Sequence, residues 1–149
     1  MYNRLMIEIK KNTLDTNSFI EIYSSVGWDC PNANQISKAL ENTLVSFVAY
    51  DEDKPIGMIR LLGDNSMCYL IKNLAVSPQY QGKGKDNKSI GKMLLEACIS
   101  YIKDNLNEGE EADVELISTL EGKNFYLRNG FEERPCSFFG PGMYMCVRK

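Results

Sequence analysis

"YQGKGKDNKSIGKMLLEACISYIK", residues 80–103, packs three glycines and four lysines into positions 82–92 and then runs into an apolar stripe of helical period. The whole chain carries a formal net charge of −3, so the lysine cluster is a local feature and not part of a basic surface. Glycines let a backbone approach a ligand closely and turn successive N–H groups toward one point. The unpaired amides and dipole of a helix start add partial positive charge. A glycine-rich turn between a strand and a helix is therefore an anion site in outline, with Lys83, Lys85, Lys88 and Lys92 able to supply full charges. The competing reading is a glycine-rich loop whose lysines simply face water.

The flanking segments supply that strand and helix. Ile90, Met93, Leu94, Ala97, Cys98, Tyr101 and Ile102 keep a helical period and predict a helix over about 90–106. Upstream, "LVSFVAY", "IGMIRLL" and "CYLIKNLAV" are separated by the turns "DEDKP" and "GDNS", which predicts an antiparallel meander. Before it, residues 5–10 read as a first strand. "LDTNSFIEIYSSVGW" reads as a helix capped by Asp15 or Thr16, with Phe19, Ile20, Tyr23 and Val26 on its apolar face. A second helix is expected over 33–44. Downstream, "DVELIST" reads as a strand, "GKNFYLRNG" as a short helix closed by Gly130, and "FEERP" and "MYMCVRK" as the last two strands. The expectation is one α+β domain over residues 1–149, with a mixed, mostly antiparallel sheet of six to seven strands flanked by about four helices.

A chain of 149 residues with 44% apolar and 25% charged content can bury its own core. Its acidic balance argues against nucleic acid as a partner. No apolar run approaches membrane-spanning length, and "MYNRLMIEIKK" lacks the unbroken apolar core of a leader, so a cytoplasmic protein without a membrane partner is expected. The five cysteines contain no Cys-x-x-Cys spacing and are read as reduced, mostly buried thiols. Histidine is absent, which removes Ser-His-Asp and Cys-His nucleophile pairs and histidine metal sites. No metal is expected, and proton transfer near neutral pH falls to a carboxylate, tyrosine, cysteine, lysine or water.

Two familiar phosphate motifs do not fit residues 82–92. A nucleoside-triphosphate loop needs Gly-x4-Gly-Lys-Ser/Thr, but six residues separate Gly84 from Gly91 and Met93 follows Lys92. A dinucleotide fingerprint needs a third glycine where Asn87 stands, and a parallel βαβ unit.

A third pattern does fit. "NLAVSPQYQGKG", resuming at "IGKMLLEACI", resembles the coenzyme-A-binding segment of the GNAT superfamily of N-acetyltransferases. Val76, Pro78, Tyr80, Gln81, Gly82, Lys83 and Gly84 match in place. Ile90, Gly91, Leu94 and Leu95 match once "KDNKS", residues 85–89, is treated as an insertion. "NFYLRNGFEE" is similar to the family's second signature, a Phe-Tyr pair shortly before Gly-Phe. "IEIYSSVGW" looks like one branch of small bacterial and plastid members. The order of expected elements agrees over nearly the whole chain.

The resemblance implies acetyl transfer from acetyl-coenzyme A to an amine, with a small-molecule primary amine as the expected acceptor and a monomer or homodimer as the assembly. It implies that the main chain of Leu74, Ala75 and Val76 pairs with the pantetheine arm. Gln81, Gly82, Lys83, Gly84, Ile90, Gly91 and Lys92 would then hold the phosphates. It implies that Tyr126 protonates the leaving thiolate and that Asn124 contacts the coenzyme. The acceptor pocket would draw on Trp28, Asp29, Phe138 and Phe139, with Tyr144 nearby; those aromatics would equally serve to close the end of the sheet.

Two departures from the pattern matter. Residues 85–89 either bulge outward, leaving the amides of Gly82, Lys83, Gly84, Ile90 and Gly91 converged, or loosen the loop. Asn73 stands where related chains often carry an acid, which leaves Glu21, Asp29 and Glu115 as alternative bases. The loss of that acid also motivates a different reading, a non-catalytic acyl-coenzyme A binding module. Acetylation of a protein or peptide amine is a further variant.

Overall fold

In the computed structural model, which describes residues 5–149, twelve elements follow one another. They are β1 (Ile7–Lys11), α1 (Thr16–Ser25), α2 (Ala33–Glu41), β2 (Val45–Asp51), β3 (Lys54–Gly63), β4 (Cys68–Val76) and a 3-10 turn (Pro78–Tyr80). After these come β5 (Gly84–Lys85), β6 (Lys88–Ser89), α3 (Ile90–Asn105), β7 (Asp113–Glu115) and α4 (Lys123–Arg128). The first four residues, where the leader reading begins, lie outside the described residues. The main sheet has the order β1-β2-β3-β4-β7; the first three pairings are antiparallel and β4–β7 is parallel. β5 and β6 form a separate antiparallel hairpin. The expected α+β architecture is present: a mixed sheet of five strands, a two-stranded hairpin and four helices. Among the described residues no helix is long and apolar enough to cross a membrane.

Contacts divide the chain into a compact unit that ends at Leu116 and a second unit, Ile117–Lys149. In the first unit both faces of the sheet are covered. Residue alternation along β3 places Met58 and Arg60 on one face, and Gly57, Ile59 and Leu61 on the other. Phe19 and Ile22 of α1, Ile36 of α2, Met58 and Ala75 form the core of the first face. Ile90, Leu94, Leu95, Cys98 and Ile102 of α3 are buried on the second. A Cβ on Gly57 would come within 3.2 Å of both the Ala75 carbonyl and a Leu94 methyl, so glycine here lets the start of α3 lie close against β3 and β4.

Caps explain where the helices begin. Asp15 accepts from the Ser18 amide at 2.8 Å, Asn32 from that of Gln35 at 2.9 Å, and Ser89 from that of Lys92 at 3.2 Å. The sequence reading missed Ile22, which is fully buried one turn after Phe19 while Ile20 and Tyr23 flank the core. It also carried α2 too far. The helix stops at Glu41 because Asn42 folds its side chain back onto the Lys38 carbonyl, and Thr43 bonds that of Ala39.

Three further expectations need correction. β7 ends at Glu115 instead of Thr119, since its ladder with β4 contains only three pairs. "FEERP" and "MYMCVRK" form no strands; a strand exists only through a paired neighbour, and neither segment gains one among the described residues. The cysteines are free, but only Cys98 is buried, where loss of solvation pushes its thiol up to about 12; Cys30, Cys68, Cys136 and Cys146 are exposed. Four of the five fall on loops, ends or the open C-terminal segment, outside any apolar face.

Because Met58 is fully buried between the sheet and both N-terminal helices, Met58→Ala should destabilise the protein by about 2–4 kcal/mol. Urea unfolding checks this; an unchanged midpoint would contradict the two-faced core.

Candidate functional site

The site begins at a defect in β4. Arg60 pairs with Lys72 and Met58 with Ala75, so Ile59 alone faces two residues, Asn73 and Leu74. This is a β-bulge. Asn73 adopts φ 55°, a left-handed conformation that asparagine tolerates better than most residues. Its side-chain oxygen accepts from Arg60 Nη1 at 2.7 Å. Arg60 also donates from Nε to Thr43 Oγ1 at 2.9 Å and from Nη2 to the Ala39 carbonyl at 3.3 Å.

Arg60 is only 8% exposed and its three partners are neutral oxygens. Burial pulls its guanidinium down from its usual value, yet an arginine stays charged in a protein. The negative end of the α2 dipole, where Ala39 lies, compensates part of that charge. One side chain thus ties the end of α2 to the bulge.

The outer edge of β4 loses its neighbour before the bulge. β7 pairs with Cys68, Tyr69 and Leu70 only, so the outer edge over residues 71–76 has no strand beside it among the described residues. Leu74, Ala75 and Val76 lie on this open stretch. The chain then turns sharply: the Ser77 amide donates to the Ile56 carbonyl, and the Gln81 carboxamide folds back onto the Val76 carbonyl at 3.0 Å. Tyr80 fastens the turn to the end of β2 by donating to Asp51 at 2.9 Å, and that bond, with burial, raises its phenol.

Residues 85–89 are ordered as a hairpin. Lys85 pairs with Lys88 around Asp86 and Asn87, whose φ values of 53° and 60° identify a type I′ turn. A Cβ on Gly84 would run into the Lys88 carbonyl, so glycine is required at the foot of the hairpin. The ladder continues into the loop: Ile90 N–H donates to the Lys83 carbonyl at 2.9 Å and Lys83 N–H to that of Tyr80 at 3.1 Å.

The expected convergence of five amides is therefore narrowed, because those of Lys83 and Ile90 are engaged internally. Gly82 and Gly91 have no internal partner for their amides among the described residues. Gly84 pairs with Ser89 at a non-hydrogen-bonded position of the hairpin, which leaves its amide outside the ladder. Gly82 has φ 76°, and a Cβ there would meet nothing within 4 Å, so the space before it is open. Three glycine amides, the start of a sixteen-residue helix and nearby lysines form a set of donors that fits a phosphate group.

The other expected residues fall in both units. Trp28 is partly buried and packs edge-on to Tyr23 with centroids 5.1 Å apart, against the core beneath α1, while Asp29 beside it is exposed. Glu21 and Glu115 are exposed on α1 and β7. Tyr126, Asn124, Phe138 and Phe139 belong to the second unit. There Tyr126 is held edge-on between Phe125 and Phe131, at 5.2 and 5.6 Å, and burial raises its phenol. Asn124 is exposed, as are Phe138 and Phe139, which are 90% and 56% accessible. Sequence reasoning missed Arg60; an arginine inside the apolar run "IGMIRLL" was the available signal.

The profile of the acetyltransferase (GNAT) domain matches residues 42–133, which span β2 through α4 and include the bulge, the glycine turn and Tyr126. The chain belongs to the GNAT acetyltransferase family. The uncharacterized N-acetyltransferase ycf52-like protein of Prochlorococcus marinus is 29% identical to this GNAT chain over 85% of its length and 70% of the relative's. The ycf52 protein of Pyropia yezoensis is 26% identical over 87% and 75%. Among solved structures, a GNAT-family acetyltransferase of Streptococcus pneumoniae superposes with TM-score 0.74 at 29% identity, covering 97% of this chain and all of that one. A probable acetyltransferase of Staphylococcus aureus gives TM-score 0.80 at 26% identity, covering 95% and 100%.

If Arg60 holds the bulge, Asn73→Asp should place a carboxylate against an already buried cation and stabilise the GNAT unit by about 1 kcal/mol near neutral pH. That carboxyl's folded pKa would be depressed, so the gain should vanish as pH falls through it; melting curves from pH 3 to 8 check the sign. Arg60→Met should destabilise by about 2–3 kcal/mol. An Asn73→Asp variant less stable than the parent throughout that range would contradict the assignment.

Proposed function

We propose that this chain transfers an acetyl group from acetyl-coenzyme A to the primary amine of a small molecule within a ternary complex. The observation that carries this reading is the adjacency, on one continuous run of chain, of an open strand edge at residues 71–76 and three unengaged glycine amides at a helix start. The amides suit a diphosphate, and the strand edge suits an extended amide-bearing arm that adds as a further strand. When bound, acetyl-coenzyme A supplies an activated thioester, whose transfer to a neutral amine needs a polarised carbonyl oxygen and a proton for the departing thiolate.

The chain's own groups meet those needs as follows. A main-chain amide near Leu74 or Val76 would hold the acyl oxygen and polarise it. The family resemblance makes Tyr126 the candidate proton donor; burial raises its phenol, which keeps the proton on Oη at neutral pH, the form a donor requires. Asn73 cannot take the amine's proton, since an amide is not a base and its oxygen is bonded to Arg60. The amine therefore reacts as the neutral fraction delivered from solvent. Asp29, the one carboxylate on the α1–α2 loop, attracts the ammonium form before that loss. A small acceptor suits a chain of net charge −3 better than nucleic acid does, and the chain acts in the cytoplasm without a membrane.

The engagement of Asn73 by Arg60 also favours a second reading, a binding module that holds an acyl-coenzyme A without turning it over. The two readings separate in one assay. Coenzyme A and acetyl-coenzyme A, but not ATP, should raise the melting temperature, because a ligand that binds only the folded state stabilises it. An amine panel should then release free thiol, and Tyr126→Phe should lower kcat about a hundredfold with coenzyme affinity unchanged. Binding without thiol release on any amine would favour the module; an equal melting shift with ATP would defeat both.

A further inference from the structure

Arg60 carries more hydrogen-bonding capacity than the protein around it uses. A guanidinium has five N–H donors and no acceptor. Three oxygens take one bond each: Asn73 Oδ1 from Nη1, Thr43 Oγ1 from Nε and the Ala39 carbonyl from Nη2. The second N–H of Nη1 and that of Nη2 have no acceptor among the described residues, although Arg60 is buried. No carboxylate balances the charge either. None of the ion pairs among the described residues includes Arg60. Lys72, its partner across the β3–β4 ladder, adds a second positive charge on the same face. The end of the α2 dipole offsets only a fraction of this. An anion brought to the bulge by a ligand would complete the pairing that the fold leaves open.

Asn73 turns that charge into a directed donor. Because arginine cannot accept, the Asn73 carboxamide has to present its oxygen to Nη1, which fixes the amide group and points Nδ2 away. Nδ2 has no partner among the described residues, and Asn73 is half-buried. It lies on the stretch of β4 whose outer edge is open, next in sequence to Leu74. A buried cation without a counter-charge and a fixed, unused donor in front of it thus meet beside the strand edge assigned above to the acyl group.

Resting on the acetyl-transfer reading above, we propose that the acceptor carries a carboxylate of its own close to the reacting nitrogen, and that Asn73 Nδ2 donates to it while Arg60 supplies the compensating charge. The substrate class is then that of amino acids, not of simple alkyl- or arylalkylamines. Asn73 is the specificity-determining contact, and Arg60 is a positioning residue that acts through it. An acid at position 73 would do the opposite: it would take up the Arg60 charge itself and repel a second carboxylate.

Acceptors matched except for the carboxylate test this: phenylalanine against phenethylamine, and lysine against cadaverine. Thiol release from acetyl-coenzyme A gives kcat/KM for each, and the ratio of each acid to its decarboxylated amine is compared between the parent and Asn73→Asp. Comparing ratios cancels the different basicities of the free amines. Asn73→Asp keeps the tie to Arg60 and should melt no lower than the parent, so loss of fold does not imitate the result. Its ratio should fall about tenfold below the parent's in at least one pair, the effect of one hydrogen bond to a charged group. Arg60→Met, assayed below its own melting transition, should lower the same ratio, mainly through KM for the acid, whereas a purely structural loss would slow both members of a pair alike. A new base at position 73 would likewise speed both members alike and leave the ratio unmoved. A ratio that stays or rises in both pairs on Asn73→Asp would overturn the inference and leave the acetyl-transfer reading intact. Thiol release with none of these amines would overturn the small-amine reading and the inference with it.

Discussion

Arg60 pinning Asn73 in a left-handed conformation in mid-strand is the interaction on which the site depends. β4 pairs with β3 through the bulge as far as Val76, while from Ile71 onward no strand lies beside its outer edge among the described residues. The guanidinium reaches from the sheet to the end of α2, so the same contact sets the N-terminal helices over the face on which Met58 and Ala75 are buried. A buried cation with only neutral partners is an expensive choice for a small core. Here it ties the end of α2 to β3 and β4, two strands already paired with each other.

The second constraint acts where β4 ends. Gly57 lets α3 approach the sheet, Tyr80 anchors the turn to Asp51, and Ser89 caps the helix. Between these fixed points the chain has to accommodate five residues, 85–89, without scattering the glycine amides. A type I′ hairpin does so because its two strands leave and return side by side. The ladder that holds it together engages the Lys83 and Ile90 amides and leaves those of Gly82, Gly84 and Gly91. The insertion therefore narrows the set of unengaged amides instead of scattering the turn.

Much of this was legible in the sequence because it depends on local chemistry. The alternation of "LVSFVAY", "IGMIRLL" and "CYLIKNLAV", the cap at Asp15, and the glycines of the turn each act within a few residues. The hairpin was not read as one, although Asp86-Asn87 has the side chains that tolerate two positive φ values in succession. The role of Arg60 was not legible because it is a contact between residues 13, 17 and 21 positions apart. The final strands failed for a related reason: apolar character and alternation make "MYMCVRK" strand-like, but a strand needs a neighbour that its own sequence does not specify. Trp28 was read from its loop position as a pocket residue, and the sequence did not show that it packs edge-on to Tyr23, five residues earlier, against the core.

The central claim is that three glycine amides and the freed edge of β4 receive a phosphorylated, amide-bearing ligand. Backbone amide NMR of the full chain during titration with coenzyme A tests it most directly. The account predicts saturable shifts at Gly82, Gly84, Gly91 and the β4 amides beyond Asn73, with Lys83 and Ile90 retaining the slow hydrogen exchange of internally bonded amides. Saturable binding that leaves those three glycines unmoved, with the perturbed amides clustered elsewhere, would contradict it.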